Sequence, residues 1–217
     1  MPNLILVIGN KAYSSWSLRP WLLMKRAGIP FEELRLSLYA EGAKERILQH
    51  SPAGKVPVLK DGRLTIWDSL AICEYLAEKF PERQLWPADV AARAMARAIS
   101  AEMHSGFTDL RSQMPMNVRR DIPGRAGTTE VRADISRVEA IWNDCRARYS
   151  ARGPFLFGAF CIADAMYAPV VTRLRSYGVA LDGEAAQYAD AIHALPALQE
   201  WIAGAHAETE VNPEYEP

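Results

Sequence analysis

At 217 residues the chain has room for one large domain or two small ones, and an apolar fraction of 49% supports an ordinary buried core. The net charge of −1, with acidic and basic residues interleaved, gives no electrostatic case for nucleic acid or an anionic membrane as partner. Cys73, Cys145 and Cys161 lie far apart, with no Cys-x-x-Cys or Cys/His pairing to suggest a metal or redox centre; reduced thiols fit a cytoplasmic location.

Residues 1–9 lack a basic leader and a small-residue cleavage site and read as a strand, and no run of about twenty apolar residues is present to span a bilayer. Leu4, Ile5, Leu6, Val7 and Ile8 form that first, buried strand. A polar loop carrying Ser14 and Ser15 follows. Leu18, Trp21, Leu22, Met24 and Ala27 then recur at helical spacing, and Gly28 stops the helix. Pro20 is expected within the first turn, which starts the helix near Ser17 and leaves both serines in the loop. Unpaired N–H groups and the positive dipole end at that point favour an anion, and a hydroxyl can donate to it. Either serine equally suits an N-cap.

Leu34, Leu36 and Leu38 alternate with polar residues as a half-buried strand, so the first forty residues predict a right-handed βαβ unit with parallel strands. Residues 40–50 allow one short helix. Val56, Val58 and Leu59, then Leu64, Ile66 and Trp67, are two short strands joined by a turn at Asp61-Gly62. Pro57 removes a ladder donor and requires an edge, a strand start or a cis bond; a cis bond would turn the Val56 backbone outward, free to pair with an extended peptide. Asp68 and Ser69 open a third helix with Trp67 and Ile72 as its hydrophobic staple and Ile72, Tyr75, Leu76 and Phe80 on its buried face. A four-stranded mixed sheet covered by helices results. Capping explains Asp68-Ser69. The pair also makes a carboxylate pocket beside a group that can meet an ammonium, and with Ser14 and Val56 it suits a short zwitterionic peptide carrying a thiol.

From residue 88 onward the pattern is helical. One long Ala-rich helix is expected over 88–114 with Pro87 at its start, and on it Met103, His104, Phe107 and Arg111 share a face that reads as substrate wall, core or subunit interface. A loop at 116–128 leads to a helix over 129–152 with Val131, Ile135, Val138, Ile141, Trp142 and Cys145 buried. Gly153-Pro154 breaks it, an apolar stretch over 155–174 follows, and helices are expected near 184–195 and 196–207. The polar tail after Glu210 is expected to be mobile.

Three motifs in order carry a family resemblance: Ser-Ser-x-Ser-x-Arg from Ser14 to Arg19, Gly-Lys-Val-Pro-Val-Leu from Gly54 to Leu59, and Asp68-Ser69. The chain resembles a cytosolic glutathione transferase. The likeness covers essentially the whole chain, and the first motif is most similar to the serine-type zeta and tau classes and related bacterial enzymes. It implies a thioredoxin-like α/β N-terminal domain over residues 1–82 and an all-α C-terminal helical domain over 88–217. Asp68 departs from the family's usual glutamate by one methylene. The stretch from Phe155 to Val171 resembles the core helix of the second domain, whose capping box here has Cys161 in place of Ser or Thr ahead of Asp164; a half-built box costs about 1 kcal/mol.

The resemblance implies glutathione as co-substrate, no metal, and a cytoplasmic homodimer. Ser14 would donate to the glutathione thiol, with Ser15 as second donor or replacement and Tyr13 as the alternative. Val56 would pair with the cysteinyl unit, Asp68 and Ser69 with the γ-glutamyl end, and Lys55 with the glycine carboxylate; Lys44 reads more readily as a solvated helix charge. Arg19 is expected to tie the first helix to the second domain. Trp16, Phe107 and Arg111 would border a hydrophobic electrophile. The absence of a loop cysteine argues against the classes that form mixed disulfides. Two alternatives stand beside transfer: a glutathione-dependent isomerase of the maleylacetoacetate type, with Arg111, Arg119 and Arg120 as candidates for a dicarboxylate, and a non-catalytic binding or scaffold module.

Overall fold

The computed structural model describes residues 4–124, 127–149 and 153–216. The N-terminal half runs β1 (Leu4–Ile8), α1 (Ser15–Ala27), β2 (Glu32–Arg35), α2 (Ala43–Leu48), β3 (Val58–Asp61), β4 (Leu64–Trp67) and α3 (Ser69–Lys79). The sheet order is β2-β1-β3-β4, with β1 parallel to β2 and antiparallel to β3, and β3 antiparallel to β4. Alternating Leu4, Leu6 and Ile8 of β1 are fully buried beside Leu59 of β3, which places the main core on the helix-covered face. Gly62 takes φ 58° in the tight turn between β3 and β4, a conformation that costs glycine little. The expected mixed sheet is therefore present.

The helical half follows: α4 (Val90–Ser105), α5 (Thr108–Gln113), α6 (Thr129–Tyr149), α7 (Ile162–Ser176), α8 (Gly183–His193) and α9 (Pro196–His206). All six residues expected in the buried stripe of α6 are buried; the expected end of that helix at Arg152 lies outside the described residues. Every residue of α7 from Ile162 to Leu174 is buried, and this central helix packs against both α1 and α4. Among the described residues no helix is long and apolar enough to cross a membrane.

Several boundaries differ from expectation. α1 starts at Ser15, capped by Ser14, and carries Pro20 inside it, where the missing N–H leaves the Trp16 carbonyl without its i+4 donor. β2 stops at Arg35 because β1 has ended: the Leu36 N–H to Ile8 carbonyl bond, at 2.8 Å, has no successor. The 88–114 helix is two helices. It begins at Val90 behind an Asp89 cap and not at Pro87, and it breaks at Gly106-Phe107, where Phe107 takes φ 54°. A Cβ on Gly106 would stand 2.8 Å from the Glu102 carbonyl. The break turns Phe107 into the core, 6% exposed, so it does not share a continuous face with Arg111.

The capping box of α7 is closed rather than half built. Asp164 Oδ2 accepts the Cys161 N–H at 2.8 Å, its Oδ1 accepts the Leu156 N–H at 3.1 Å, and the Cys161 sulfur serves as the weak second arm. The tail is not free. Glu208 accepts the Lys11 and Ala12 N–H groups at 2.6 and 3.1 Å, and Glu216 accepts from the Tyr13 hydroxyl at 2.6 Å and pairs with Arg119 and Arg120. Residues 208–216 thus return over the loop that precedes α1.

Candidate active site

Two adjoining cavities open along the junction of the halves. The first, about 600 Å³, is lined by Ser14, Ser15 and Arg173 among others; the second, about 530 Å³, by Asp68, Ser69 and His104. Trp16, Lys55, Val56 and Arg111 line both and make them continuous. Eight of the nine expected site residues are therefore together, drawn from the start of α1, the segment before β3, the start of α3, and α5. Phe107 lines neither cavity, for the reason given by the helix break. Lys44 is exposed on α2 and also lines neither.

Each group is held by local structure. The Val56-Pro57 bond is cis, and Val56 stands just ahead of the β3 ladder. Asp68 adopts φ 77° and caps α3: its Oδ1 accepts the Leu70 and Ala71 N–H groups at 2.9 and 3.1 Å, while Oδ2 meets His104 Nε2 at 3.0 Å. Trp67, expected to fold back on Ile72, is 48% exposed and lines the second cavity. Ser69 Oγ is buried and has no hydrogen-bond partner among the described residues, so its donor and acceptor capacity is available to a ligand. Tyr13 lines the first cavity, but its hydroxyl proton goes to Glu216, and burial together with that bond raises its pKa. That leaves Tyr13 poorly suited to stabilise an anion.

Three guanidiniums converge here. Arg19 and Arg111 lie over the Trp16 ring at 4.0 and 4.8 Å from its centroid. Arg173 donates to Ser15 Oγ at 3.2 Å. None of the three is in an ion pair among the described residues. Burial, then mutual repulsion, pushes Arg19 down to about 9 and Arg173 to about 10, which leaves both cationic at neutral pH; burial also lowers Arg111. Arg19 also reaches the Met166 carbonyl at 3.2 Å, tying α1 to α7 as expected. Of the three, Arg111 and Arg173 line the first cavity and favour an anion there; Arg19 lines neither cavity. Arg119 and Arg120, by contrast, are engaged by Glu216 on the tail.

Sequence reasoning missed Arg173, Tyr39 and Tyr215, all on the first cavity's wall. An arginine just after the apolar run Ala165–Val171 of α7 was the available signal for the first; none marked the tyrosines.

Residues 13–79 match the family model described as "Glutathione S-transferase, N-terminal domain", and residues 125–204 match "Glutathione S-transferase, C-terminal domain", together more than half of the chain. The chain belongs to the glutathione S-transferase family. Among curated relatives, a "Probable maleylacetoacetate isomerase" of Caenorhabditis elegans is 40% identical over 96 residues, 44% of each chain. "Glutathione S-transferase 1" of Dianthus caryophyllus is 43% identical over 82 residues, 37% of this chain and 36% of that one. These matches span less than half the length of the relatives. A solved glutathione transferase homolog from a Burkholderia, with bound glutathione, superposes with TM-score 0.71 over 95% of this chain and all of that one at 23% identity, a likeness of fold. Among the described residues no group of three or more His, Cys, Asp or Glu could hold a metal ion.

Proposed function

We propose that the protein is a serine-type glutathione transferase that binds glutathione, keeps its thiol ionised with a hydroxyl at the mouth of α1, and adds it to a hydrophobic electrophile. The observation that carries this reading is the continuity of the two cavities: serine hydroxyls line one, the Asp68-Ser69 pocket lines the other, and the Val56 backbone lies between. A free thiol of pKa about 8.5 is only about 3% ionised at neutral pH; a two-unit drop makes thiolate the main form and needs about 2.7 kcal/mol of differential stabilisation. A charge-assisted hydrogen bond at a helix N-terminus can supply that. In this reading residues 1–82 hold glutathione: Val56 pairs with the cysteinyl unit, Asp68 and Ser69 with the γ-glutamyl end, and Lys55 with the glycine carboxylate. Residues 88–217 supply Arg111 to the electrophile side, opposite Trp16, and the protein works as a cytoplasmic homodimer.

A second reading, a glutathione-dependent isomerase acting on a dicarboxylate, is favoured by Arg111 and Arg173, cations on the wall of the first cavity that have no carboxylate partner among the described residues. The isomerase name of a relative agrees with it. Melting the protein against glutathione tests both. At a hundred times Kd, ligand linkage adds about 2.7 kcal/mol and raises the midpoint by about 5–10 °C for a chain of this size. Turnover of hydrophobic electrophiles against maleylacetone then separates transfer from isomerisation. No shift at millimolar glutathione and no turnover would contradict both and leave the scaffold alternative.

A further inference from the structure

The two serines at the start of α1 are not equivalent. Ser14 Oγ is hydrogen-bonded to Ser17 Oγ at 2.7 Å and accepts the Ser17 N–H at 3.4 Å, so this hydroxyl is engaged inside the helix cap. Ser15 Oγ instead accepts from Arg173 Nη2 at 3.2 Å. A guanidinium has donors only, so the Ser15 oxygen must be the acceptor and its own proton is left over. Ser15 lines the first cavity.

Arg173 is built in place for this contact. It is 5% exposed, its Nε donates to the Met114 carbonyl at 2.9 Å and its Nη1 to the Pro169 carbonyl at 3.1 Å, so all three bonds end on uncharged oxygens. The other charged or titratable groups on this cavity are Lys55, Arg111 and the phenols of Tyr13, Tyr39 and Tyr215. The Asp68–His104 pair belongs to the neighbouring cavity, and the Glu216 carboxylate is held by Arg119 and Arg120. Among the described residues, no carboxylate lines the first cavity to cancel the Arg173 charge.

We propose that Ser15, rather than Ser14, is the hydroxyl that meets the glutathione sulfur, and that Arg173 is its positioning residue. The guanidinium fixes the Ser15 oxygen, polarises the hydroxyl and leaves its proton to point at the sulfur. The bound thiol then releases its own proton to solvent more readily. This rests on the glutathione reading above. A cation within about 4–6 Å of an ionising group moves its pKa by about 1–3 units in favour of the anion; acting through one hydroxyl, Arg173 is expected to supply about one unit.

The test is an ultraviolet titration of thiolate in the glutathione complex, alongside the pH profile of kcat/KM. Arg173→Gln should raise the apparent thiol pKa by about one unit and move the acid limb of the profile to higher pH by the same amount, with KM for glutathione little changed. Arg173→Lys keeps the charge and should restore most of the shift. Ser15→Ala should raise the pKa at least as far, whereas Ser14→Ala should lower the melting temperature and leave the ionisation near that of the parent. Should Arg173→Gln not fold, the two serine variants and Arg173→Lys decide the matter. An ionisation moved by Ser14→Ala and untouched by Ser15→Ala or Arg173→Gln overturns the proposal and leaves the serine-type reading standing. An ionisation that none of them moves, in a protein that still binds glutathione, overturns both.

Discussion

Ser69 is the residue whose structural contribution and proposed ligand contact separate most cleanly. Its hydroxyl is buried without a partner among the described residues, and a buried polar group left unpaired costs about 1–3 kcal/mol. Removing it should therefore not weaken the fold. Ser69→Ala is expected to keep or slightly raise the melting temperature while glutathione affinity falls roughly tenfold, the loss of one hydrogen bond to a carboxylate worth about 1.5 kcal/mol. Calorimetric titration of both proteins checks this, and unchanged affinity would remove Ser69 from the site. Asp68 offers no such separation, because its carboxylate caps α3 and faces His104 at once.

At the scale of elements, the start of α7 shows what a buried carboxylate does to stability. Asp164 is fully buried, and burial pushes its pKa up to about 6 although the Cys161 and Leu156 N–H groups pull the other way. The folded state thus holds a proton that the unfolded state releases near pH 4. Its contribution is complete below about pH 4 and is lost as pH rises through about 6, a change on the order of 3 kcal/mol. Asp164→Asn, which cannot titrate, should be less stable, and the gap between parent and variant should narrow from pH 4.5 to 6.5 in urea unfolding. A constant or widening gap would contradict a raised pKa.

The same scale shows what was legible beforehand. β1 and the β3–β4 hairpin could be read because a run of five apolar residues and an Asp-Gly turn are local signals. The stripe of α6 followed from its 3.6-residue period. The break at Gly106 was not read, because the alanines before it keep helical propensity high and a single glycine inside a helical pattern is tolerated; a Cβ there would stand 2.8 Å from the Glu102 carbonyl, so the break suits glycine. Serine caps are likewise ambiguous next to a proline: Ser14 caps a helix that tolerates Pro20 in its second turn. Contacts at long range were hidden altogether. Arg173 meets a serine 158 residues away, and the tail looked polar and loose because its cations, Arg35, Arg119 and Arg120, lie far back in the chain.

Taken as a whole molecule, the two halves share one contiguous core. Leu18, Trp21 and Leu22 of α1 belong to the same cluster as Ala163, Met166 and Val170 of α7. The candidate site lies at that junction and is lined from both sides: by Ser15 of α1, Arg111 of α5 and Arg173 of α7. The tail completes the arrangement by fixing the loop at Lys11 and Ala12, just ahead of the serines. The central claim is that a hydroxyl at the mouth of α1 stabilises a thiolate supplied by glutathione, within a frame of cations from the helical half. A crystal structure of the glutathione complex tests it most directly. The account predicts the sulfur within hydrogen-bonding distance of Ser15 Oγ, the γ-glutamyl carboxylate on Ser69 and the cysteinyl backbone on Val56. A tripeptide bound with its sulfur out of reach of both Ser14 and Ser15 would contradict it.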